Sequence, residues 1–149
     1  MRLIHHLWLT VYCKPEDRKE DILKSLRKFI PFVLEDEKIK IQRKTVDIIH
    51  DRKVIIFQVH LQKQAHLSKF IKHLNKTLTE DQKRLILKQK ESRLDNDNHF
   101  FLRFDKKKLV EKNILHITDK GNCYHLKFSI AAFPTTRQAA LKSIEQIFK

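Results

Sequence analysis

The sequence is poor in glycine, proline and cysteine. It contains one glycine, three prolines and two cysteines in 149 residues. We recognise no linker, repeat or low-complexity run, so we expect a single domain over residues 1–149. Cys13 and Cys123 lie far apart and form no CxxC motif. This cysteine usage is typical of reduced, buried thiols, and we therefore expect a cytoplasmic protein.

Long apolar runs are absent as well. The first twelve residues, MRLIHHLWLTVY, alternate apolar with polar side chains. This stretch is too short and too polar for a signal peptide or a membrane-spanning helix. We therefore expect no membrane partner.

Acidic residues are scarce beside basic ones, with 32 lysines and arginines against 18 aspartates and glutamates. The resulting net charge of +14 is large for a chain of this length. A strong basic excess bears on partners rather than on fold, and it favours a polyanion such as RNA. The alternative is a lysine-rich surface that only faces solvent.

The spacing of apolar residues predicts helices and strands in the order βαββααβ(α)ββα. Helical spacing follows Pro15 as far as Pro31, and Thr79 with Gln82 has the spacing of a capping box that would start a further helix. We expect Gly121 to supply a positive φ in the turn before the last strand. Such a mixed order with frequent hairpins predicts an α+β fold, a two-layer sandwich of a mainly antiparallel sheet with helices on one face. The predicted strands cover residues 4–13, 38–49, 54–62, 98–105, 114–118 and 123–133.

One stretch resembles the start of a calcium-binding loop. In ESRLDNDNHFFLRFDKKK, residues 91–108, Asp95, Asp97 and His99 alternate as calcium ligands do. The position that requires glycine holds Phe100, and the one that requires glutamate holds Lys106, so calcium is disfavoured. We expect instead a polar turn that caps backbone groups between a helix and a strand. We assign no metal, cofactor or catalytic residue.

The cations of this stretch are candidate RNA ligands, because guanidinium groups bind phosphate in a bidentate manner. The alternative is that Arg93 pairs with Asp95 and Arg103 with Asp105, which would only fix the turn. A second candidate surface is the cationic strand around residues 38–44, whose alternative role is a sheet edge protected by lysines. The predicted RNA-binding residues are Lys38, Lys40, Arg43, Lys44, Arg93, Arg103, Lys106, Lys107 and Lys108.

Aromatic and histidine side chains allow two further interpretations. Trp8 and Tyr12 share the more polar face of the first strand, where they could stack on bases. Large aromatic residues in a small domain are more often buried, so we expect both in the core. The histidines that lie in predicted strands could converge on an RNA-cleaving site, although no catalytic motif accompanies them. These are His6, His60, His116 and His125.

Three blocks of the sequence resemble small archaeal proteins described as predicted RNA-binding or exosome-associated proteins. The blocks are VYCKPEDRKEDILKSLRKFIP at residues 11–31, SRLDNDNHFFLRFDK at 92–106 and HLKFSIAAFPTTRQAA at 125–140. The resemblance implies a fold like that of the ribosomal protein that binds 5S ribosomal RNA. It also implies RNA binding. The family often has a glycine between its second and third strands, where this chain has HDRK.

Taken together, charge and resemblance predict a non-enzymatic protein that binds structured RNA mainly through its backbone and shape. A link to RNA processing, the ribosome or the exosome would agree with the resemblance. The alternative is a structural or assembly protein that acts through a homodimer or another partner protein. We find no signature of the common base-reading RNA modules, which argues for weak sequence preference.

Overall fold

The computed structural model of the chain describes residues 2–149 and has an α+β fold. Its five strands form one antiparallel sheet in the order β2-β3-β1-β5-β4, which confirms the predicted fold class. The strands are β1 (Ile4–Cys13), β2 (Gln42–Ile48), β3 (Arg52–Leu61), β4 (His99–Asp105) and β5 (Cys123–Ile130). The helices are α1 (Lys19–Arg27), α2 (Gln64–Thr77), α3 (Glu80–Lys88), α4 (Lys90–Arg93), α5 (Lys106–Lys112) and α6 (Arg137–Ile147).

The two faces of β1 differ in burial. Leu7, Leu9 and Val11 are at most 1% exposed and form part of the core. The residues between them point to the opposite face, because successive side chains of a strand alternate. On that face Trp8 is half-buried and Tyr12 is 54% exposed. The prediction that both aromatic rings belong to the core is therefore wrong for Tyr12, and Trp8 keeps part of its ring accessible.

The chain packs as two compact units, each made of several chain segments. The first unit contains the residues up to Leu7, Leu61–Leu102 and Leu126–Lys149. The second unit contains Trp8–His60 and Arg103–His125. The single domain over residues 1–149 stays a prediction.

Each unit has its own aromatic cluster. In the first unit the ring centroid of Phe100 lies 6.4 Å from that of Phe128 and 5.8 Å from that of Phe148. In the second unit Phe29 lies 5.5 Å from Tyr124. The Tyr124 hydroxyl is buried and donates a 2.7 Å hydrogen bond to the Ile22 carbonyl, and this burial raises the pKa of Tyr124 far above its usual value.

Local capping patterns explain several helix ends. Thr79 Oγ1 accepts from the Gln82 amide at 3.1 Å and Gln82 Oε1 accepts from the Thr79 amide at 3.0 Å, which confirms the predicted capping box. Thr136 Oγ1 accepts from the Ala139 amide at 3.2 Å and caps α6, which begins at Arg137. Helix α1 begins at Lys19, after a turn that contains Pro15.

Four predictions about strands and turns are wrong. The strand predicted from residue 38 begins only at Gln42, because Lys38 has a φ of 57° that no strand accommodates. Instead of a strand at 114–118, a single bridge joins Ile117 to Phe104. Gly121 has no positive φ, and nearby it is Asn113, at the end of α5, that adopts the left-handed conformation with a φ of 57°. The last strand ends at Ile130 and not at residue 133.

The hairpin that joins β2 to β3 closes without glycine. Ile48 pairs with Arg52 at its end, and His50 and Asp51 inside the turn have φ values of 67° and 58°. Left-handed backbone is easiest for glycine, so the glycine that the family resemblance implies would suit this turn. In this chain the turn is built from residues that tolerate the conformation less well.

Candidate nucleic-acid interface

Within the stretch 91–108, the residues between α4 and β4 form the predicted polar turn. Asp95 Oδ1 accepts hydrogen bonds from the Asp97 amide at 2.9 Å and from the His99 amide at 2.8 Å. Asn98 adopts a φ of 59° between them. Ligand atoms of Asp95, Asp97 and His99 lie within 4.8 Å of one another. The two amide hydrogen bonds explain why Asp95 is needed here, since it fixes the entry into β4.

Lys106 does not belong to an RNA-binding surface. It is 4% exposed, and its Nζ donates to Asp17 Oδ2 at 2.7 Å and to the Tyr12 carbonyl at 2.8 Å. Burial acts to raise the pKa of Asp17, but the hydrogen bonds from Lys106 and from the Lys14 amide outweigh it and hold that pKa below its usual value. Unlike the other predicted cations, Lys106 is therefore buried in an internal ion pair that connects α5 to the end of β1.

The two arginines of this stretch differ in accessibility. Arg93 is half-buried and donates from Nε and Nη2 to Gln89 Oε1 at 3.0 and 2.6 Å. It also donates to the Phe101 carbonyl at 3.4 Å, so it helps to fix α4 against β4. Arg103 is exposed and donates to the Asp119 carbonyl at 3.3 Å. Asp105 caps α5 by accepting from the Lys108 amide at 2.9 Å.

The other predicted cations lie at the surface of the second unit. Their side chains are all exposed, and they come from the segment before β2, from β2 itself and from the first turn of α5. Because β2 is at the edge of the sheet, its side chains face solvent on both sides. The residues are Lys38, Lys40, Arg43, Lys44, Lys107 and Lys108.

A groove of about 610 Å³ lies between the end of β1, the start of α1 and the β2–β3 hairpin. Arg43 from β2 and Lys53 from β3 are exposed at its wall. Of its acids, Asp17 forms an ion pair with Lys106. We call this feature the basic groove, and its charged lining consists of Lys14, Lys19, Arg43, Arg52 and Lys53 with Asp17 and Asp51.

The charges of the basic groove affect the pKa of Cys13, a buried residue of its lining. Burial and the nearby Asp17 raise the pKa of the Cys13 thiol. Lys19 and Arg43 act in the opposite direction, because a positive charge favours the thiolate. Arg52 is also engaged, since it forms an ion pair with Glu16. The remaining cations of the groove were not predicted from the sequence. They come from separate segments that only the folded chain brings together.

A second cationic surface lies in the first unit. Helix α2 exposes Lys69, Lys72 and Lys76 at spacings of three and four residues, so they follow one helix face. The sequence from residue 52 to residue 79 contains no aspartate or glutamate, so no acid of this segment neutralises them. We call these three lysines the α2 stripe. Its signal was visible in the sequence, as an acid-free helix with periodic lysines.

On the face of the sheet opposite to the basic groove, the second unit has an aromatic and polar patch. The rings of Trp8 and His60 stack with centroids 5.0 Å apart and an interplanar angle of 2°. Gln58 Nε2 donates to Thr10 Oγ1 at 2.9 Å. We call the patch the aromatic face, and its members are Trp8, Thr10, Tyr12, Gln58 and His60.

Comparison with known proteins shows the family. A family model described as RNA binding matches residues 6–130, so this chain belongs to that family of RNA-binding proteins. The chain is similar to the RNA-binding protein PAB1135 of Pyrococcus abyssi (strain GE5 / Orsay), with 16% identity over 142 residues. That match covers 95% of this chain and 92% of the relative.

Solved structures of archaeal proteins share the fold. Mth689, a DUF54 protein from Methanothermobacter thermautotrophicus, aligns with a TM-score of 0.78 and 22% identity over 99% of each chain. AF2318 from Archaeglobus fulgidus, also assigned to DUF54, aligns with a TM-score of 0.85 and 20% identity over 97% of this chain and 99% of that one. The expected likeness to the ribosomal protein that binds 5S ribosomal RNA stays a prediction.

None of the helices within residues 2–149 combines the length and the apolar character that crossing a bilayer requires.

Proposed function

We propose that the protein is a non-enzymatic RNA-binding protein that holds structured RNA by its phosphate backbone, with the basic groove as the principal contact. Membership of the RNA-binding family supports RNA as the polyanion. The observation that carries the choice of surface is the groove itself, where five cations meet two acids. One of these acids is already paired with the buried Lys106.

The groove has the chemistry that a phosphate backbone requires. Arg43 offers a planar guanidinium that can donate two parallel hydrogen bonds to one phosphate, and Lys53 offers a point charge. Both side chains are exposed. Because such contacts do not read bases, binding follows RNA shape and charge rather than sequence.

Additional cations would extend the contact beyond the groove. Lys107 and Lys108 lie on α5 of the same unit, and Lys44 follows Arg43 on β2 with its side chain on the other face of the sheet. The α2 stripe, in the first unit, is a separate cationic surface. A footprint of this kind suits a folded RNA that presents several phosphates at once.

The groove is tested by a pair of charge-neutralising variants with the same change in net charge. The double variant Arg43→Gln/Lys53→Gln removes two groove cations, and the control Lys142→Gln/Lys149→Gln removes two exposed lysines of the first unit that belong to neither cationic surface. We expect the groove variant to bind an RNA hairpin at least about tenfold more weakly at physiological salt. Equal affinities for the two variants would contradict the groove as principal contact.

The same experiment addresses catalysis. The proposal includes no chemical step, so the hairpin RNA should stay intact during long incubation with the protein. Cleavage that is lost in a His60→Ala or a His125→Ala variant would instead favour the histidine-based nuclease.

A link to RNA processing, the ribosome or the exosome is supported only by the family resemblance. We include it in the proposal as a cellular setting, and crosslinking followed by sequencing of the bound RNA would test it. Ribosomal RNA or processing intermediates are the expected targets. Crosslinks spread evenly over all cellular RNA would contradict it.

A second candidate function is assembly through the sheet edge. It is favoured by β2, an edge strand that ends at Ile48, which is 43% exposed, and is followed by Ile49, which is 79% exposed. Against it, Arg43, Lys44 and Asp47 place charges along the same strand, which is how sheet edges avoid pairing. Sedimentation decides between the two, since a monomer at high protein concentration would exclude a stable homodimer.

A further inference from the structure

The aromatic face points to a second kind of RNA contact in the same unit. We propose that it binds an unpaired base, so that the protein selects folded RNAs in which a loop or bulge adjoins a helix. This inference rests on the proposed function, and it adds the class of RNA that the protein recognises. The basic groove would hold phosphates, while the aromatic face would hold a base that has left its helix.

Two contacts define the rows of this face. Trp8 stacks on His60, and Thr10 accepts a hydrogen bond from Gln58. Trp8 to Thr10 is a step of two residues forwards on β1, and His60 to Gln58 is a step of two backwards on β3. Side chains two residues apart lie on one face of a strand, so the two contacts are neighbouring rows on that face.

The next step along both strands leads to the accessible end of the face. It reaches Tyr12, which is 54% exposed, and Ile56 on β3. Ile56 in turn pairs with Lys44 of β2, whose side chain is exposed. Two strand spacings separate Tyr12 from Lys44, which is about 10 Å. A base lying on the ring of Tyr12 would therefore have a cation within reach of its own phosphate.

The composition of the face suits a base better than it suits another ligand. Aromatic rings stack on any base, and this contact is available only where the base is not already stacked in a helix. Thr10 and Gln58 supply hydroxyl and amide groups that can meet the polar edge of a base. Lys44 adds a charge that a peptide ligand would not require. The basic groove lies on the other face of the sheet in the same unit, and the edge strand β2 serves both, since it gives Arg43 to the groove and Lys44 to the side of the aromatic face.

Trp8 makes the proposal directly measurable, because it is the only tryptophan of the chain. Its fluorescence therefore reports on this face without any label. We would titrate the wild-type protein with a hairpin RNA that has an unpaired loop, and with a blunt duplex of equal phosphate number. The hairpin is expected to change the Trp8 emission on binding, whereas the duplex is expected to bind without that change.

A substitution then connects the signal to affinity. Tyr12→Ala should weaken hairpin binding about tenfold, in the range measured for loss of one base–aromatic stack, and should leave duplex binding unchanged. The matched control is Phe133→Ala, which removes a ring that is 81% exposed but lies in the other unit. This control should alter neither affinity. Both rings are exposed enough for the variants to fold, and circular dichroism would verify that they do.

The possible failures are distinguishable. Salt-dependent binding of both RNAs with no change in Trp8 emission and no effect of Tyr12→Ala would overturn the aromatic face and leave the groove proposal intact. An equal emission change with duplex and hairpin would also overturn it. Absence of binding to either RNA would overturn the proposed function together with this inference.

Discussion

Lys106 differs in burial from the two lysines that follow it in sequence, Lys107 and Lys108. Lys106 is 4% exposed and holds Asp17 and the Tyr12 carbonyl, whereas Lys107 and Lys108 are exposed on the first turn of α5. A buried lysine must be paired, because an uncompensated charge in the interior is costly. An exposed lysine has no such requirement and can serve a polyanion.

The difference shows how a net charge of +14 divides into roles. One cation, Lys106, is buried in an internal ion pair, several are engaged in surface ion pairs such as Arg27 with Glu35, and others are exposed in the basic groove or elsewhere on the surface. The exposed cations are those available to RNA. Substitutions of single cations should therefore separate folding from binding, and the following experiments use that separation.

The largest expected effect is on stability. Lys106→Ala leaves Asp17 partly buried without its partner and should lower the free energy of unfolding by about 3–5 kcal/mol. Lys107→Ala, one residue further along, should change it by less than about 0.5 kcal/mol. Urea unfolding of both variants checks this, and similar stabilities would mean that the buried pair is unimportant.

Acidic pH should break the same pair in the wild type. The pKa of Asp17 is lowered in the folded state from its usual value near 3.8, so its contribution to stability is present above that value. It is lost as the pH falls through the lowered folded-state pKa. The Asp17 carboxylate is then protonated in the folded protein as well, and its ion pair with Lys106 is broken. In thermal melts between pH 5 and pH 2, the Asp17→Asn variant should show a shallower loss of stability than the wild type. Parallel pH profiles would argue against this role of Asp17.

A conservative change in the basic groove should alter binding without altering charge. Arg43→Lys keeps the positive charge but loses the planar, bidentate donor. We expect an affinity for hairpin RNA that is weaker by roughly threefold to tenfold, with the same dependence on salt, since the number of phosphates neutralised is unchanged. Lys44→Arg is the reverse control and should not weaken binding.

The smallest expected effect concerns the β2–β3 hairpin. Asp51 has a φ of 58°, where glycine has no steric penalty, so Asp51→Gly should raise the free energy of unfolding by roughly 0.5 kcal/mol. Thr45→Gly, within β2, should lower it by about 0.5–1 kcal/mol, because glycine loses more conformational freedom on folding than threonine does. Chemical denaturation distinguishes the two, and destabilisation by Asp51→Gly would show that the aspartate side chain has a role of its own.

Features that depend on near neighbours were predictable from the sequence. The bounds of β1, the capping box of Thr79 and Gln82, and the polar turn around Asp95 all follow from residues a few positions apart. The failure of residues 114–118 to form a strand was not predictable. Their apolar pattern is short, and only Ile117 pairs with β4. Short runs of this kind are decided by tertiary contacts.

The candidate site was harder to predict, since its parts come together only in the fold. Tyr12 and Lys106 are 94 residues apart in sequence, so nothing local indicated that Lys106 is buried. The basic groove likewise joins Lys14 and Lys19 to Arg43 and Lys53 across the β2–β3 hairpin. The sequence did indicate that β2 is cationic, but not which of its neighbours completes a groove.

The measurement that tests the central claim most directly is a salt titration of hairpin-RNA binding by the wild type and by Arg43→Gln/Lys53→Gln. If the groove cations neutralise RNA phosphates, the logarithm of the association constant should fall linearly with the logarithm of the salt concentration. The slope should then be shallower in the double variant by about 1.4–1.8, corresponding to two phosphates. Identical slopes for the two proteins would contradict the claim that the basic groove holds the RNA backbone.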